Sequence, residues 1–192
     1  MIFGWLSQEV LEKEAFGFDT SILLWLHQSP NSTLDSLMVQ ITRLGDPETV
    51  VILVTIAFSL LIWQRQFWSA QMLFLACLGG LILNQGLKLV FAKLRPQLWT
   101  PLVVEHSYSF PSGHALGSLV VYGFLAVLLA HKFPRQHWLI YAIAAVIISA
   151  IGISRLFLGV HWPTDIIAGY AVGAVWLIAC IFTLGYRTAS SS

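Results

Sequence analysis

Charge is what this 192-residue chain has least of: Asp, Glu, Lys and Arg together make up 10% of it. A soluble domain carries about 25%. With 57% apolar residues and a mean hydropathy of +0.79, the deficit excludes an ordinary soluble globule and indicates an integral membrane protein. A net charge of +1 without a basic tract gives nucleic acid nothing to bind. Only two cysteines occur, Cys77 and Cys180, each inside an apolar run; they read as small buried hydrophobes rather than a disulfide or metal pair. No cluster of metal-ligand residues stands out, so neither a metal nor another cofactor is expected. No cleavable signal peptide is expected either, because Glu9, Glu12, Lys13 and Glu14 are the wrong charges for its first region. The length fits one domain, without internal repeats or low-complexity tracts beyond Ser190–Ser192.

What is present is long apolar segments. Five can span a bilayer: 47–64, 67–92, 113–131, 137–155 and 163–186. Each is near the ~20 residues a crossing requires. They must be helices, because lipid satisfies no backbone polar group. The fold expected is an all-α membrane bundle of five helices, six if residues 1–46 supply another. That N-terminal segment has its best apolar run, Ala15 to Leu26, broken by Asp19, and is read as interfacial amphipathic helices. Residues 47–186 then form the transmembrane domain and 187–192 a tail. Arg65, Lys132, Arg135 and Arg187 mark one side as cytoplasmic, although Lys13, Arg43, Lys93 and Arg95 balance them in number on the other. Setting Arg95 aside as a site residue places the acidic N-terminal segment on the outer face.

Three polar clusters interrupt the apolar pattern at that face. Charge near the bilayer centre costs about 2.5 kcal/mol or more per residue, so it needs a reason. Lys88 and Arg95 are seven residues apart, two helical turns, and share a face. Pro96 puts Arg95 at the helix end. Lys93 points elsewhere on that helix and is left out of the site. Arginine's fork and lysine's point charge suit an anion with several oxygens, although basic residues at span ends also snorkel toward headgroups. In Pro111-Ser112-Gly113-His114, Ser112 caps a helix and Gly113 lets backbone N–H groups approach a phosphate beside His114. A plain helix start with an interfacial histidine is the alternative. In Ser154-Arg155-x5-His161-x3-Asp165, His161 and Asp165 stack on one face if the helix begins near Trp162-Pro163. A carboxylate on one ring nitrogen leaves the other a nucleophile or base, with Arg155 to neutralise the anion attacked. A capping His–Asp bond is the alternative, but capping has no use for Arg155.

Lys-x6-Arg-Pro, Pro-Ser-Gly-His and Ser-Arg-x5-His-x3-Asp, in that order and each at a span end, resemble the type-2 phosphatidic acid phosphatase superfamily, which shares a site with vanadium haloperoxidases. The resemblance covers residues 18–185. Phe18-Asp19 and Ile41-Thr42-Arg43-Leu44-Gly45 are similar to bacterial members as well, though those usually have six spans. It implies a metal-independent phosphohydrolase in a bacterial plasma membrane with its site facing outward. It further implies that His161 attacks phosphorus, Asp165 orients it, and His114 protonates the leaving oxygen and then activates water. Lys88, Arg95, Ser112, Gly113 and Arg155 would hold the phosphoryl oxygens. The substrate expected is a membrane lipid phosphate or pyrophosphate, with isoprenyl pyrophosphate such as undecaprenyl pyrophosphate ahead of phosphatidylglycerol phosphate and phosphatidic acid. A transporter or scaffold is the rival class, but only Asn84 and Gln85 put large polar groups mid-span. A vanadate peroxidase shares the motifs, but five apolar spans favour a lipid substrate.

Overall fold

The structure is a computed structural model and describes residues 17–28 and 31–190, with backbone alone for 186–190. Seven α-helices are present among the described residues: α1 (Gly17–His27), α2 (Ser32–Thr42), α3 (Pro47–Trp63), α4 (Phe67–Phe91), α5 (Gly113–Lys132), α6 (His137–Phe157) and α7 (Pro163–Ser190). The start of the N-terminal segment, residues 1–16, and the Arg187 side chain used for topology lie outside the described residues.

Helices α4, α5, α6 and α7 are long and apolar enough to cross a bilayer. Only 28% of the most apolar stretches of α4 and α7 is buried within the protein, so their other faces require lipid. The fifth expected span differs in shape. Helix α3 has 17 residues, about 25 Å at 1.5 Å per residue, against a hydrocarbon core of about 30 Å. It continues Ser32–Gly45 after a 45° bend, and together the two could form one bent span. Proline at the first position of α3 explains the break, since it starts a helix but cannot continue one.

Helix α5 is central, packing along both α6 and α7 and against α4. Leu73 and Ala76 of α4, Leu116, Val120 and Phe124 of α5, and Leu177 and Cys180 of α7 form the core. At Gly169 a Cβ would lie 2.8 Å from the Ser112 carbonyl oxygen, so glycine there lets α7 meet the start of α5. The four long helices alternate in direction. The end of α4, start of α5, end of α6 and start of α7 therefore share one end of the bundle, which gathers the three polar clusters. Helices α1 and α2 pack on α6, and α1 also touches α7.

Candidate active site

Loop 92–112 crosses that end of the bundle. Helix α4 stops at Phe91 because Ala92 turns left-handed, φ 44°, its N–H bonding the Lys88 carbonyl. Lys88 and Arg95 therefore do not share a helical face, as their spacing predicts; the turn folds Arg95 back. The two cations meet on common acceptors instead. Lys88 Nζ donates to Ser107 Oγ (2.8 Å) and the Tyr108 carbonyl (2.7 Å). Arg95 donates through Nε to the Ser107 carbonyl (2.8 Å) and through Nη2 to Ser107 Oγ (3.1 Å). The same turn brings Lys93, which helical spacing had aimed elsewhere, against Asp165: Nζ to Oδ1 is 3.3 Å, both side chains fully buried.

Glu105, unflagged by any motif, bridges the cations. Its Oε2 is 3.6 Å from Arg95 Nη2, and its Oε1 accepts a short hydrogen bond from Arg155 Nη2. Burial raises the Glu105 carboxyl, but Arg155 and Arg95 outweigh it and hold it below the usual carboxylate range. Arg155 is fully buried, and its Nη1 donates to Thr42 Oγ1 at 2.9 Å. Its Nε has no acceptor among the described residues.

His161 lies between the cations and Asp165. Arg95 Nη1 is 3.2 Å from His161 Nε2. Arginine can only donate, so that contact makes Nε2 the acceptor and leaves the proton on Nδ1. Nδ1 is 3.4 Å from both Asp165 Oδ2 and Ser109 Oγ. Asp165 Oδ2 also accepts from the Trp162 N–H at 2.9 Å and, in a short bond, from Ser109 Oγ. Pro163 starts α7, as expected, and sets the register of this pair. Burial lowers the His161 pKa to about 3, and the arginine charges act in the same direction against Asp165, so the ring is neutral at pH 7. A neutral imidazole with its lone pair aimed at guanidinium groups can attack an electrophilic phosphorus held there.

His114 belongs to a second pair, its Nε2 2.9 Å from Asp46 Oδ1. Gly45 makes room for it: a Cβ there would lie 2.7 Å from His114 Cδ2. Ser112 caps α5 through Oγ, as its position predicts, but is fully buried, and its N–H donates to the Asp165 carbonyl at 3.1 Å. That backbone bond joins α5 to α7. Gly113 borders Asn84, whose Nδ2 holds the Pro111 carbonyl at 3.2 Å. The N-terminal segment contributes Thr42 at the end of α2, Asp46 at the start of α3 and, on α1, Asp19, which is fully buried and accepts from the Thr164 N–H and hydroxyl. Of the other histidines, His27 stacks on Trp99 with ring centres 4.0 Å apart, and His137 Nδ1 donates to the Pro134 carbonyl at 2.7 Å.

A groove of ≈ 850 Å³ opens between α3, α4 and α5. Lys88, Glu105, Gly113 and His114 stand at its polar end; Val54, Phe58, Leu78 and Val120 line its length. Charge at one end and apolar wall along the rest match a phosphorylated amphiphile.

The family model described as the PAP2 superfamily matches residues 68–189, which include all three motifs. The chain belongs to the PAP2 superfamily. It is 35% identical over 143 residues to phosphatidylglycerophosphatase B of Bacillus subtilis, covering 73% of this chain and 70% of that one. It is 34% identical over 172 residues to the undecaprenyl-diphosphatase of Sulfolobus acidocaldarius, covering 86% and 77%. The crystal structure of a transmembrane PAP2-type phosphatidylglycerolphosphate phosphatase from B. subtilis superposes with a TM-score of 0.81 at 30% identity, covering 89% of this chain and 85% of the other. Aquifex aeolicus LpxE shares the fold, with a TM-score of 0.70 at 24% identity. The protein is thus a membrane-embedded PAP2 lipid phosphatase, in agreement with the reading of its motifs.

Proposed function

We propose that this PAP2 enzyme removes phosphate from an isoprenyl pyrophosphate without a metal, through a phosphohistidine on His161. The observation that carries the reading is the convergence of Arg95 and Arg155 on one anion, the Glu105 carboxylate, at the polar mouth of an apolar groove. A phosphoryl group displaces Glu105 and takes over these cations together with Lys88, Ser112 and the Gly113 N–H. His161 Nε2 attacks phosphorus, and the bond to the leaving oxygen breaks. Asp165 keeps the proton on Nδ1 and balances the charge that develops on the ring. His114, oriented by Asp46, gives its proton to the leaving oxygen. It then takes a proton from the water that attacks phosphorus, and the P–N bond breaks to release phosphate. Catalysis here is positioning and charge stabilisation, which three cations supply.

The groove wall beyond its polar end is mostly apolar, with Val54, Phe58, Leu78 and Val120 along it, which suits an isoprenyl tail. Phosphatidylglycerol phosphate is the second reading, favoured by the relatives from B. subtilis; phosphatidic acid has the same chemistry. Residues 47–186 carry the hydrolase, and Thr42 and Asp46 of the segment before them complete its site. Arg65, Lys132 and Arg135 at the opposite end of the bundle orient the site outward across a bacterial inner membrane. The test is phosphate release by purified protein in detergent with chelator, from undecaprenyl pyrophosphate, phosphatidylglycerol phosphate, phosphatidic acid and a water-soluble phosphomonoester. The highest kcat/KM is expected for undecaprenyl pyrophosphate. Equal or better turnover of the soluble ester would refute the lipid groove, and a tenfold preference for phosphatidylglycerol phosphate would replace the favoured lipid.

A further inference from the structure

Two fully buried ionisable residues, Lys93 and Asp19, have no part in the phosphoryl-transfer scheme above. Burying an ammonium group costs several kcal/mol unless it is paired and hydrogen bonded. Among the described residues Lys93 Nζ has two polar partners, and both are on the first turn of α7. It is 3.3 Å from Asp165 Oδ1 and donates to Thr164 Oγ1 at 3.1 Å. Thr164 passes the chain on: its hydroxyl donates to Asp19 Oδ2 at 2.8 Å, and its N–H donates to Asp19 Oδ1 at 3.0 Å. The result is an oriented relay, Lys93 to Thr164 to Asp19, that joins α1, loop 92–112 and α7 behind His161.

The two oxygens of Asp165 have different partners. Oδ2 faces His161 Nδ1 and also accepts from Trp162 and Ser109. Oδ1 accepts no well-aligned hydrogen bond among the described residues, and the Lys93 ammonium is the charge beside it. The Lys93 ammonium therefore stands beside the carboxylate oxygen that no hydrogen bond holds, while the other oxygen faces His161. Arg95 acts on the other edge of the same imidazole, at Nε2. The rings of Phe110 and Trp162, each centred 5.9 Å from Nζ, close the remaining sides.

We propose that Lys93 is a positioning residue for the Asp165–His161 pair, held in place through Thr164 by Asp19 of the N-terminal helix. This rests on the reading of Asp165 as the partner that orients His161. The test is a double-mutant cycle on the full-length protein in detergent, with kcat and KM measured on the best lipid phosphate of the panel. Lys93→Gln removes the charge but keeps a donor for Thr164. It should lower kcat about 30-fold, equal to about 2 kcal/mol at 1.36 per decade, with KM changed less than about twofold. Lys93→Arg should recover most of the loss. In an Asp165→Asn background the same Lys93→Gln change should cost under about threefold, because the group it acts through has lost its charge. Asp19→Asn, a milder change that leaves the lysine present, should lower kcat about threefold, again only when Asp165 is intact. Should Lys93→Gln fail to fold, Asp19→Asn is judged alone by the same comparison. Full kcat in Lys93→Gln, or an equal loss in both backgrounds, would overturn the proposal. Full activity in Asp165→Asn would instead overturn the His161–Asp165 reading.

Discussion

Glu105→Gln should tighten the binding of phosphate. In the structure the Glu105 carboxylate occupies the place between Arg95 and Arg155 that a phosphoryl group must take. Two unit charges 3.6 Å apart, as for Glu105 and Arg95, attract by roughly 4–5 kcal/mol gross at an effective dielectric of 20. Most of that is offset, because the Glu105 side chain is 25% exposed and water solvates the separated charges. Exposed pairs measure about 0.2–1 kcal/mol net. The contact to Arg155 belongs above that range, since Arg155 is buried. A total of about 1–2 kcal/mol stands against every incoming phosphate, or about five- to thirtyfold in affinity. The amide fills the same volume without the charge. The assay is competitive inhibition by inorganic phosphate at fixed lipid substrate, comparing the inhibition constants of wild type and variant. KM for the lipid should fall in step. A weaker or unchanged inhibition constant in Glu105→Gln would show that the carboxylate orients the two guanidinium groups and does not compete with substrate.

His161→Ala should abolish turnover and the acid-labile phosphoenzyme trapped by rapid quench, while Asp165→Asn should retain a small fraction of kcat; full phosphate release by His161→Ala would remove the covalent mechanism. Acid should destabilise the fold through His161. The unfolded ring takes up a proton below about 6.5, whereas the buried ring does so only near 3, so stability is complete above that range and declines as pH falls through it. Thermal unfolding in detergent should therefore lose fewer degrees between about pH 7.5 and pH 5 in His161→Gln than in wild type, and identical losses would contradict the burial argument. Gly45→Ala places a methyl group where His114 now packs, and should lower kcat about tenfold with little change in KM if the Asp46–His114 pair carries the leaving-group proton. Cysteines at Gln97 and Gln136, in a background lacking Cys77 and Cys180, report sidedness with an impermeant thiol reagent on intact cells. Labelling at 97 alone agrees with an outward site, and labelling at 136 alone would invert it.

The three clusters were legible because ionisable residues in a chain this apolar stand out against the cost of placing them near a bilayer. Alternation of four long helices then gathers the clusters at one end without any further information. The contacts of His114 and Arg155 were not legible. Asp46 and Glu105 lie 68 and 50 residues from the side chains they meet, and no local pattern links such positions. Asp46 reads only as part of the acidic N-terminal segment, and nothing in the sequence singles out Glu105. In the sequence Asp19 reads as an interruption of an amphipathic run. It is in fact fully buried on Thr164, because a carboxylate with both oxygens hydrogen bonded can be accommodated where a bare one cannot.

Lys93 shows where periodicity stops being a guide. Helical spacing put Lys88 and Arg95 on one face and Lys93 off it, and the two ends of that reading met opposite fates. Arg95 reaches the site for a different reason, and Lys93 reaches it despite the prediction. Both follow from Ala92, which leaves the helix in a left-handed conformation. Alanine is the strongest helix former and seldom takes that conformation, so nothing in its side chain announces a stop. The stop is tertiary. The Ser109 N–H bonds the Lys93 carbonyl at 2.8 Å, Trp162 Nε1 bonds the Leu94 carbonyl at 3.1 Å, and Arg95 Nη1 bonds the Val160 carbonyl at 2.7 Å. The first closes loop 92–112 on itself, and the other two hold it against the loop before α7. They offset the strain at Ala92 by giving partners to backbone carbonyls that lose their helical ones when the chain turns. Once the chain turns there, the Lys93 side chain has Asp165 within reach, and a buried cation beside that carboxylate follows from the turn.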